Sequence, residues 1–111
     1  MSTASRGSAR EHAVKRLLES EGWAVTRGAG SHGAADLWAA KGAVIIKGRG
    51  VFTTRLRLIQ VKSDKRGPYN NFSPAERKEL ASLAAQTGGT AELCWWPARQ
   101  DPKWISESEW P

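Results

Sequence analysis

Two short segments decide the fold of this chain, SHGAADLW at residues 31–38 and LIQVK at residues 58–62. Asp36 heads a short apolar run typical of a strand, and the second segment alternates in character, as a half-buried strand does. Side chains two residues apart on a strand share a face, so Gln60 and Lys62 point the same way. If the two strands pair, a carboxylate, an amide oxygen and an ammonium group meet at one edge of a sheet. Such a set suits a hard divalent cation beside a phosphate.

The length and composition describe one ordinary globular domain. The chain has 111 residues, of which 40% are apolar and 25% are charged, which is enough for a single core and too little for two. No apolar run approaches the ~20 residues that span a bilayer, and residues 1–7, expected to be flexible, lack the apolar centre of a signal peptide. The one cysteine, Cys94, excludes an internal disulfide and a cysteine-rich zinc site. We therefore expect a single domain over residues 1–111 in the cytoplasm, associated with the nucleoid or encoded by a virus in its host.

The positive charge is concentrated in the first two thirds of the chain. Residues 1–67 carry 13 Lys and Arg against 5 Asp and Glu, a balance of +8, whereas residues 68–111 carry 4 against 6, a balance of −2. The basic excess therefore accompanies the stretch that contains Asp36 and Lys62. This favours a polyanionic partner, with nucleic acid first. A basic protein that is merely soluble is the alternative that charge alone leaves open.

The order of elements predicts an α/β fold with a central mixed sheet flanked by helices. Capping-box patterns start two helices, one at Ser8 with Glu11 and one at Ser73 with Pro74 and Glu76. Gly88-Gly89 ends the second helix. In chain order we expect a helix from 8 to about 20, strands at 23–27 and 36–40, a hairpin with a long basic tip over 41–57, a strand at 57–62, a polar loop at 63–71, a helix at 74–87, a strand at 91–96, and a tail at 98–111 that is a candidate for a short extra strand.

Each candidate site residue, taken alone, has an ordinary structural explanation. Asp36 can close a turn, Glu11 can complete a capping box, and Cys94 is typical of a core residue rather than a nucleophile. No second His or Cys lies at a ligand spacing from the histidines, so a zinc site is not favoured. The combination is sharper than its parts. An acid, a strand–turn–strand interval and a ligand-capable residue two before a lysine resemble the PD-(D/E)xK nuclease core, with Gln60-Val61-Lys62 as the (D/E)xK element.

A longer series of residues narrows this resemblance. The chain resembles the archaeal-type Holliday junction resolvases, Hjc and its viral relatives, over roughly residues 5–96. The residues that carry the resemblance occur in one order: Arg6-Gly7, Glu11, Arg27 with Gly30-Ser31, Asp36, Gln60-Val61-Lys62-Ser63 and Gly88-Gly89. The resemblance implies a restriction-endonuclease-like core and a homodimeric, Mg²⁺-dependent endonuclease, with Mn²⁺ able to substitute, that resolves four-way DNA junctions by paired symmetric nicks.

The resemblance also assigns residues to roles. Metal ligands would be Glu11, Asp36 and Gln60, and the catalytic set would add Ser31 and Lys62. Arg6 and Arg27 would contact DNA phosphates. Beyond the resemblance, we also expect DNA contacts from five further residues of the basic part of the chain: Arg10, His32, Arg49, Lys65 and Arg66. The late strand and tail around Trp95, Trp96 and Trp104 are the candidate dimer surface.

Gln60 departs from the family pattern, which usually has Glu at that position. An amide oxygen can bind Mg²⁺ but brings no negative charge. Two alternatives therefore stay open: another PD-(D/E)xK nuclease of restriction or repair type, or a DNA-binding module whose catalysis has weakened. A basic RNA-associated domain would leave the coincidence of Asp36, Gln60 and Lys62 unexplained.

Overall fold

A mixed β-sheet forms the centre of the computed structural model, which describes residues 3–28, 33–46, 48 and 50–111, with side chains for 7–28, 33–42, 48 and 55–111. Within these ranges the five strands lie in the order β1-β2-β3-β4-β5. Strand β3 pairs with β4 in parallel and every other pair is antiparallel. The elements are α1 (Thr3–Ser20), β1 (Ala24–Arg27), β2 (Leu37–Ile46), β3 (Gly50–Lys62), α2 (Pro74–Thr87), β4 (Thr90–Trp95), β5 (Lys103–Ser106) and a 3-10 turn (Glu107–Glu109). The predicted α/β class is confirmed.

Strands β2 and β3 form the long hairpin that the sequence predicts. Their register runs from Leu37↔Ile59 to Ile46↔Gly50, and Gly48 adopts a positive φ of 79° at the turn. Strand β1 pairs with β2 only over residues 37–40, and β4 pairs with β3 only over residues 57–62. The distal half of the hairpin therefore extends beyond the rest of the sheet.

Each face of the sheet carries one helix and one hydrophobic cluster. Side chains of α1, including Val14 and Leu18, pack with Ile59 and Cys94 on one face. On the other face, Leu80 and Ala84 of α2 pack with Leu58, Leu93 and Phe72. All of these residues are essentially inaccessible to solvent, and each large aliphatic side chain contributes about 1.5–3 kcal/mol by burial.

Helix α2 begins and ends as its sequence predicts. The Ser73 hydroxyl accepts a hydrogen bond from the Glu76 backbone N–H at 3.2 Å, and the Glu76 carboxylate accepts one from the Ser73 N–H at 3.2 Å. Gly88 terminates the helix with a left-handed φ of 72°. A Cβ at Gly89 would lie 2.6 Å from Leu58 Cδ1 and 3.0 Å from the Leu56 carbonyl oxygen, so the glycine lets the chain leave the helix close against β3.

The prediction for the N-terminus is wrong. Helix α1 starts at Thr3 rather than at Ser8, so residues 3–7 are helical and Ser8 is not its cap. Nothing in that segment breaks a helix, because it lacks proline and Gly7 costs only about 1 kcal/mol. The Ser8 hydroxyl instead accepts a hydrogen bond from the Arg27 guanidinium at 3.3 Å. At the other end, the tail supplies β5, as expected of a short extra strand.

The six tryptophans divide between the two faces. Trp38, Trp95 and Trp110 lie with the α2 cluster, whereas Trp23, Trp96 and Trp104 lie with the α1 cluster. Adjacent Trp95 and Trp96 therefore face opposite sides of the sheet. The Trp95 indole N–H donates to the Asp64 carbonyl at 2.7 Å and holds the 63–71 loop, while the dimer surface around Trp95, Trp96 and Trp104 stays a prediction.

An ion pair between Arg57 and Glu92 spans the centre of the α1 face. Arg57 Nη2 donates to Glu92 Oε1 at 2.9 Å and its Nε donates to Oε2. The guanidinium carbon lies 4.8 Å from the ring centroids of both Trp23 and Trp104. The carboxylate therefore neutralises a cation held between two aromatic rings.

In the described part of the chain, no helix has the length and apolar character needed to cross a membrane.

We expect Glu92→Gln to lower the free energy of unfolding by about 1–3 kcal/mol, because it leaves the half-buried Arg57 cation without a charged partner. Glu79→Gln removes the same charge from an exposed position of α2, and we expect a change within about 0.5 kcal/mol. Urea unfolding of both variants measures the difference. Equal stabilities would mean that the ion pair contributes nothing to the fold.

Candidate active site

The pairing of β2 with β3 places Asp36 beside Gln60. Leu37 lies opposite Ile59 in the register, and the residue before Leu37 therefore lies against the residue after Ile59. The Asp36 backbone N–H donates to the Ile59 carbonyl at 2.9 Å, while its carboxylate Oδ2 accepts from the Val61 N–H at 2.8 Å. Asp36 is thus fixed through both its main chain and its side chain at the edge where β2 begins.

Gly28 holds the end of β1 against the same point. Its backbone N–H donates to the Asp36 carbonyl at 2.8 Å. A Cβ at this position would lie 2.4 Å from the Ala35 carbonyl oxygen, a distance that no side chain tolerates without movement of the backbone. The glycine of the Arg27-Gly28 pair is therefore required for the close approach that completes the support of Asp36.

The surroundings of Asp36 disfavour its negative charge. Burial is the largest influence and raises the pKa of Asp36 to about 6. The Val61 N–H and the Lys62 ammonium lower it, whereas the carboxylates of Glu11 and Glu76 raise it further. The carboxylates of Glu11 and Glu76 thus each repel an ionised Asp36 at this edge of the sheet. A bound cation would relieve the repulsion.

Gln60 and Lys62 extend from β3 on the α2 face. Gln60 is 8% exposed, and its Oε1 is buried without a hydrogen-bond partner among the described residues. A buried amide oxygen normally has a partner, so an unpaired one needs an explanation. Lys62 Nζ lies 3.5 Å from Glu76 Oε2, and only 18% of the lysine side chain is exposed. The predicted convergence of acid, amide and ammonium is present.

Glu11 reaches the site from α1 and carries an unexpected partner. Its Oε1 lies 3.4 Å from Arg27 Nη2, with 23% of the Glu11 side chain and 39% of the Arg27 side chain exposed. Arg27 also contacts His12 Nε2 at 3.2 Å. The arginine predicted to contact phosphate is therefore in contact with α1, and it partly neutralises a predicted metal ligand.

The remaining predicted DNA contacts have varied surroundings. Arg10 lies over the Trp96 ring at 4.9 Å from its centroid. Arg66 Nη2 pairs with Asp64 Oδ2 at 2.7 Å, and hydrogen bonds from Arg66 lower the pKa of Asp64 to about 2. Lys65 is exposed in the same loop. Ser31, His32 and Arg49 lie outside the described residues, as does the side chain of Arg6.

Glu76 is the site residue that the sequence reasoning missed. It was assigned only to the cap of α2, which it does form. Its second carboxylate oxygen faces Lys62, and its charge acts on Asp36. One signal could have identified Glu76. Helix α2 packs on the sheet face that carries Gln60 and Lys62, and its first turn lies beside Lys62.

The oxygen donors at this edge match the preference of Mg²⁺ for hard, mostly anionic ligands. They are the carboxylates of Asp36, Glu11 and Glu76 and the unpaired amide oxygen of Gln60. Within the described ranges, no three His, Cys, Asp or Glu side chains are already arranged to hold a metal ion. Cys94 is not a candidate nucleophile, because burial raises the pKa of its thiol to about 12.

Comparisons with known proteins identify the family of this chain and a solved structure of similar fold. The family model described as archaeal Holliday junction resolvase (Hjc) matches residues 2–108, which is nearly the whole chain. The chain belongs to the archaeal Holliday junction resolvase family. This membership supports a nuclease that acts on DNA junctions.

A solved structure has the same fold. The Hjc Holliday junction resolvase of the archaeal hyperthermophile Archaeoglobus fulgidus matches with a TM-score of 0.70 and 23% sequence identity, over 93% of this chain and 74% of that one. No curated protein matches the chain.

The raised pKa of Asp36 predicts a pH-dependent cost of folding. Because the folded state binds this proton more tightly than the unfolded state, whose pKa is near 3.8, the cost appears as pH rises from about 4 to about 6 and is complete above that. In chelator, we expect Asp36→Asn to be more stable than the parent at pH 7.5, by up to about 2–3 kcal/mol. The difference should vanish near pH 3.5. A constant difference across this range would mean that Asp36 titrates normally.

Proposed function

We propose that this protein is a homodimeric, Mg²⁺-dependent endonuclease that resolves four-way DNA junctions by paired symmetric nicks, with Mn²⁺ able to replace Mg²⁺. The observation that carries the proposal is the edge of the β2–β3 pair. There Asp36, Gln60 and Lys62 meet in a chain of the Holliday junction resolvase family.

The residues at this edge have complementary roles. Asp36, Gln60 and Glu11 would hold the metal, and the Val61 N–H fixes the orientation of the Asp36 carboxylate. When bound, Mg²⁺ supplies an activated water and neutralises charge on the scissile phosphate. Lys62 donates hydrogen bonds to a phosphate oxygen and stabilises the charge that develops there. Ser31 precedes Asp36 by five residues in the sequence and would contact the same phosphate.

The DNA arms would lie on the basic part of the chain. Residues 1–67 have a balance of +8, and phosphate contacts supply most of the affinity of such surfaces. The residues proposed to contact phosphates are Arg6, Arg10, Arg27, His32, Arg49, Lys65 and Arg66. Arg66 is the weakest of them, because Asp64 already neutralises its charge.

A dimer follows from the symmetry of the substrate. A four-way junction is resolved by cutting two strands of like polarity, and each chain has one catalytic centre. Two subunits related by a two-fold axis therefore suit the reaction. Trp96 and Trp104 on the α1 face are the proposed contacts, since both are only half-buried in the single chain. The neutral amide of Gln60 supports one alternative, a module that binds DNA with weakened catalysis.

We expect the protein to cut a four-way junction in Mg²⁺ and to leave it intact in chelator. Asp36→Asn should abolish cutting but preserve junction binding, because Asp36 contacts the metal rather than the DNA backbone, and the amide can still accept from Val61. Gel assays on junction, flap and linear DNA of equal length measure both properties. On a supercoiled cruciform plasmid, the parent should give linear product through paired nicks.

Each contrary outcome points to a different function. Equal cutting of junction and linear duplex, or a monomer on DNA by sizing, would favour a restriction- or repair-type nuclease. Tight junction binding without cutting in Mg²⁺ or Mn²⁺ would favour the binding module. Full cutting by Asp36→Asn would remove Asp36 from the active site.

Neighbouring cations of the 63–71 loop should contribute unequally to DNA binding. Lys65→Ala should flatten the log–log dependence of affinity on salt by roughly 0.9, the value for one phosphate contact. Arg66→Ala should change the slope less, because the Arg66 guanidinium is already bound to Asp64 and is less available to a phosphate. Titrations at several salt concentrations measure both slopes. A larger effect for Arg66 than for Lys65 would mean that DNA displaces Asp64 from its partner.

A further inference from the structure

Glu76 has a second contact besides its hydrogen bond in the helix cap. One carboxylate oxygen accepts from the Ser73 N–H at 3.2 Å, which completes the capping box. The other lies 3.5 Å from Lys62 Nζ. That separation exceeds the usual 2.7–3.2 Å of a strong hydrogen bond, and 43% of the Glu76 side chain is exposed. This oxygen is therefore free to exchange its partner.

Glu76 brings a negative charge to the part of the site where Gln60 has a neutral amide. Gln60 occupies the centre of the site with a neutral amide, and its buried Oε1 has no hydrogen-bond partner among the described residues. Lys62 lies two residues further along the same face of β3 and connects Gln60 to the start of α2. Glu76 thus brings a carboxylate from the helix to the edge where β3 provides none.

The charge of Glu76 is available at neutral pH. One of its oxygens accepts from the Ser73 N–H and the other lies beside the Lys62 ammonium, and both contacts favour the anion. The N-terminus of a helix also favours an anion. Glu76 Oε2 faces Lys62, which lies two residues after Gln60, and Gln60 is next to Asp36 across the β2–β3 pair.

We propose that Glu76 supplies from α2 the anionic metal ligand that Gln60 lacks on β3. The inference rests on the proposed metal-dependent function and assigns this chain its own donor set: Asp36 and Glu76 as anions, Gln60 as a neutral donor, and Glu11 from α1. If Glu76 held the metal, its Oε2 would no longer pair with Lys62, and the lysine ammonium would be available to a phosphate.

The test separates a ligand from a helix cap. Glu76→Gln keeps the capping box, because glutamine at this position serves as glutamate does, but removes the charge. The full chain is titrated with Mn²⁺ alone, and electron paramagnetic resonance measures the free ion. This gives the dissociation constant of the metal independently of DNA cleavage. We expect Glu76→Gln to weaken binding by about tenfold or more, since affinity follows ligand charge. Glu79→Gln, one turn away on an exposed surface, should bind as the parent does.

A second variant moves the charge back to β3. Gln60→Glu should tighten Mn²⁺ binding and lower the Mg²⁺ concentration for half-maximal cutting, and in the Glu76→Gln background it should restore both. Thermal unfolding confirms that each variant is folded. Parental Mn²⁺ affinity in folded Glu76→Gln overturns the inference. If that variant also cuts junctions normally, the inference about Glu76 fails but the proposed function stands. If the parent protein neither binds metal nor cuts junctions, the inference and the proposed function are both rejected.

Discussion

The antiparallel pairing of β2 with β3 is the interaction on which the rest of the structure depends. Asp36 fixes this pairing at its start, because its N–H bonds to Ile59 and its carboxylate accepts from Val61. A slip of one residue would turn every side chain of β2 to the opposite face. Asp36 would then point away from Gln60 and Lys62. The residue proposed for catalysis thus also sets the register that creates its surroundings.

The two helices pack on opposite faces of the sheet, and each contributes a carboxylate near Asp36. Val14 and Leu18 anchor α1 on one face, and Leu80 and Ala84 anchor α2 on the other. Each helix contributes one carboxylate, Glu11 or Glu76, whose charge opposes ionisation of Asp36. Repulsion among these acids costs stability in the free protein. Such a cost at a positioned cluster is typical of functional sites, where a ligand offsets it.

Local patterns predicted the fold better than they predicted the site. Capping and turn residues gave α2 and the hairpin, because those signals act within a few positions of the chain. The start of α1 was missed, since Ser8 with Glu11 imitates a cap while nothing before it stops the helix. The partners of Arg27 and Arg66 depend on tertiary proximity or loop geometry, which no spacing encodes. Gln60 and Lys62 can be grouped because strand alternation places them on one face, and Asp36 joins them only through the pairing of β2 with β3.

The distribution of charge explains how a glutamine can occupy position 60. Gln60 is buried at 8% exposure, and a carboxylate there would lose its hydration beside Asp36, with Glu11 and Glu76 also acting on that acid. Glu76 is 43% exposed and lies in the first turn of α2, where both solvent and the helix dipole stabilise an anion. A charge on α2 therefore costs the metal-free protein less than the same charge on β3. The neutral amide still offers an oxygen to a cation, so the site keeps its donors while reducing the repulsion among them.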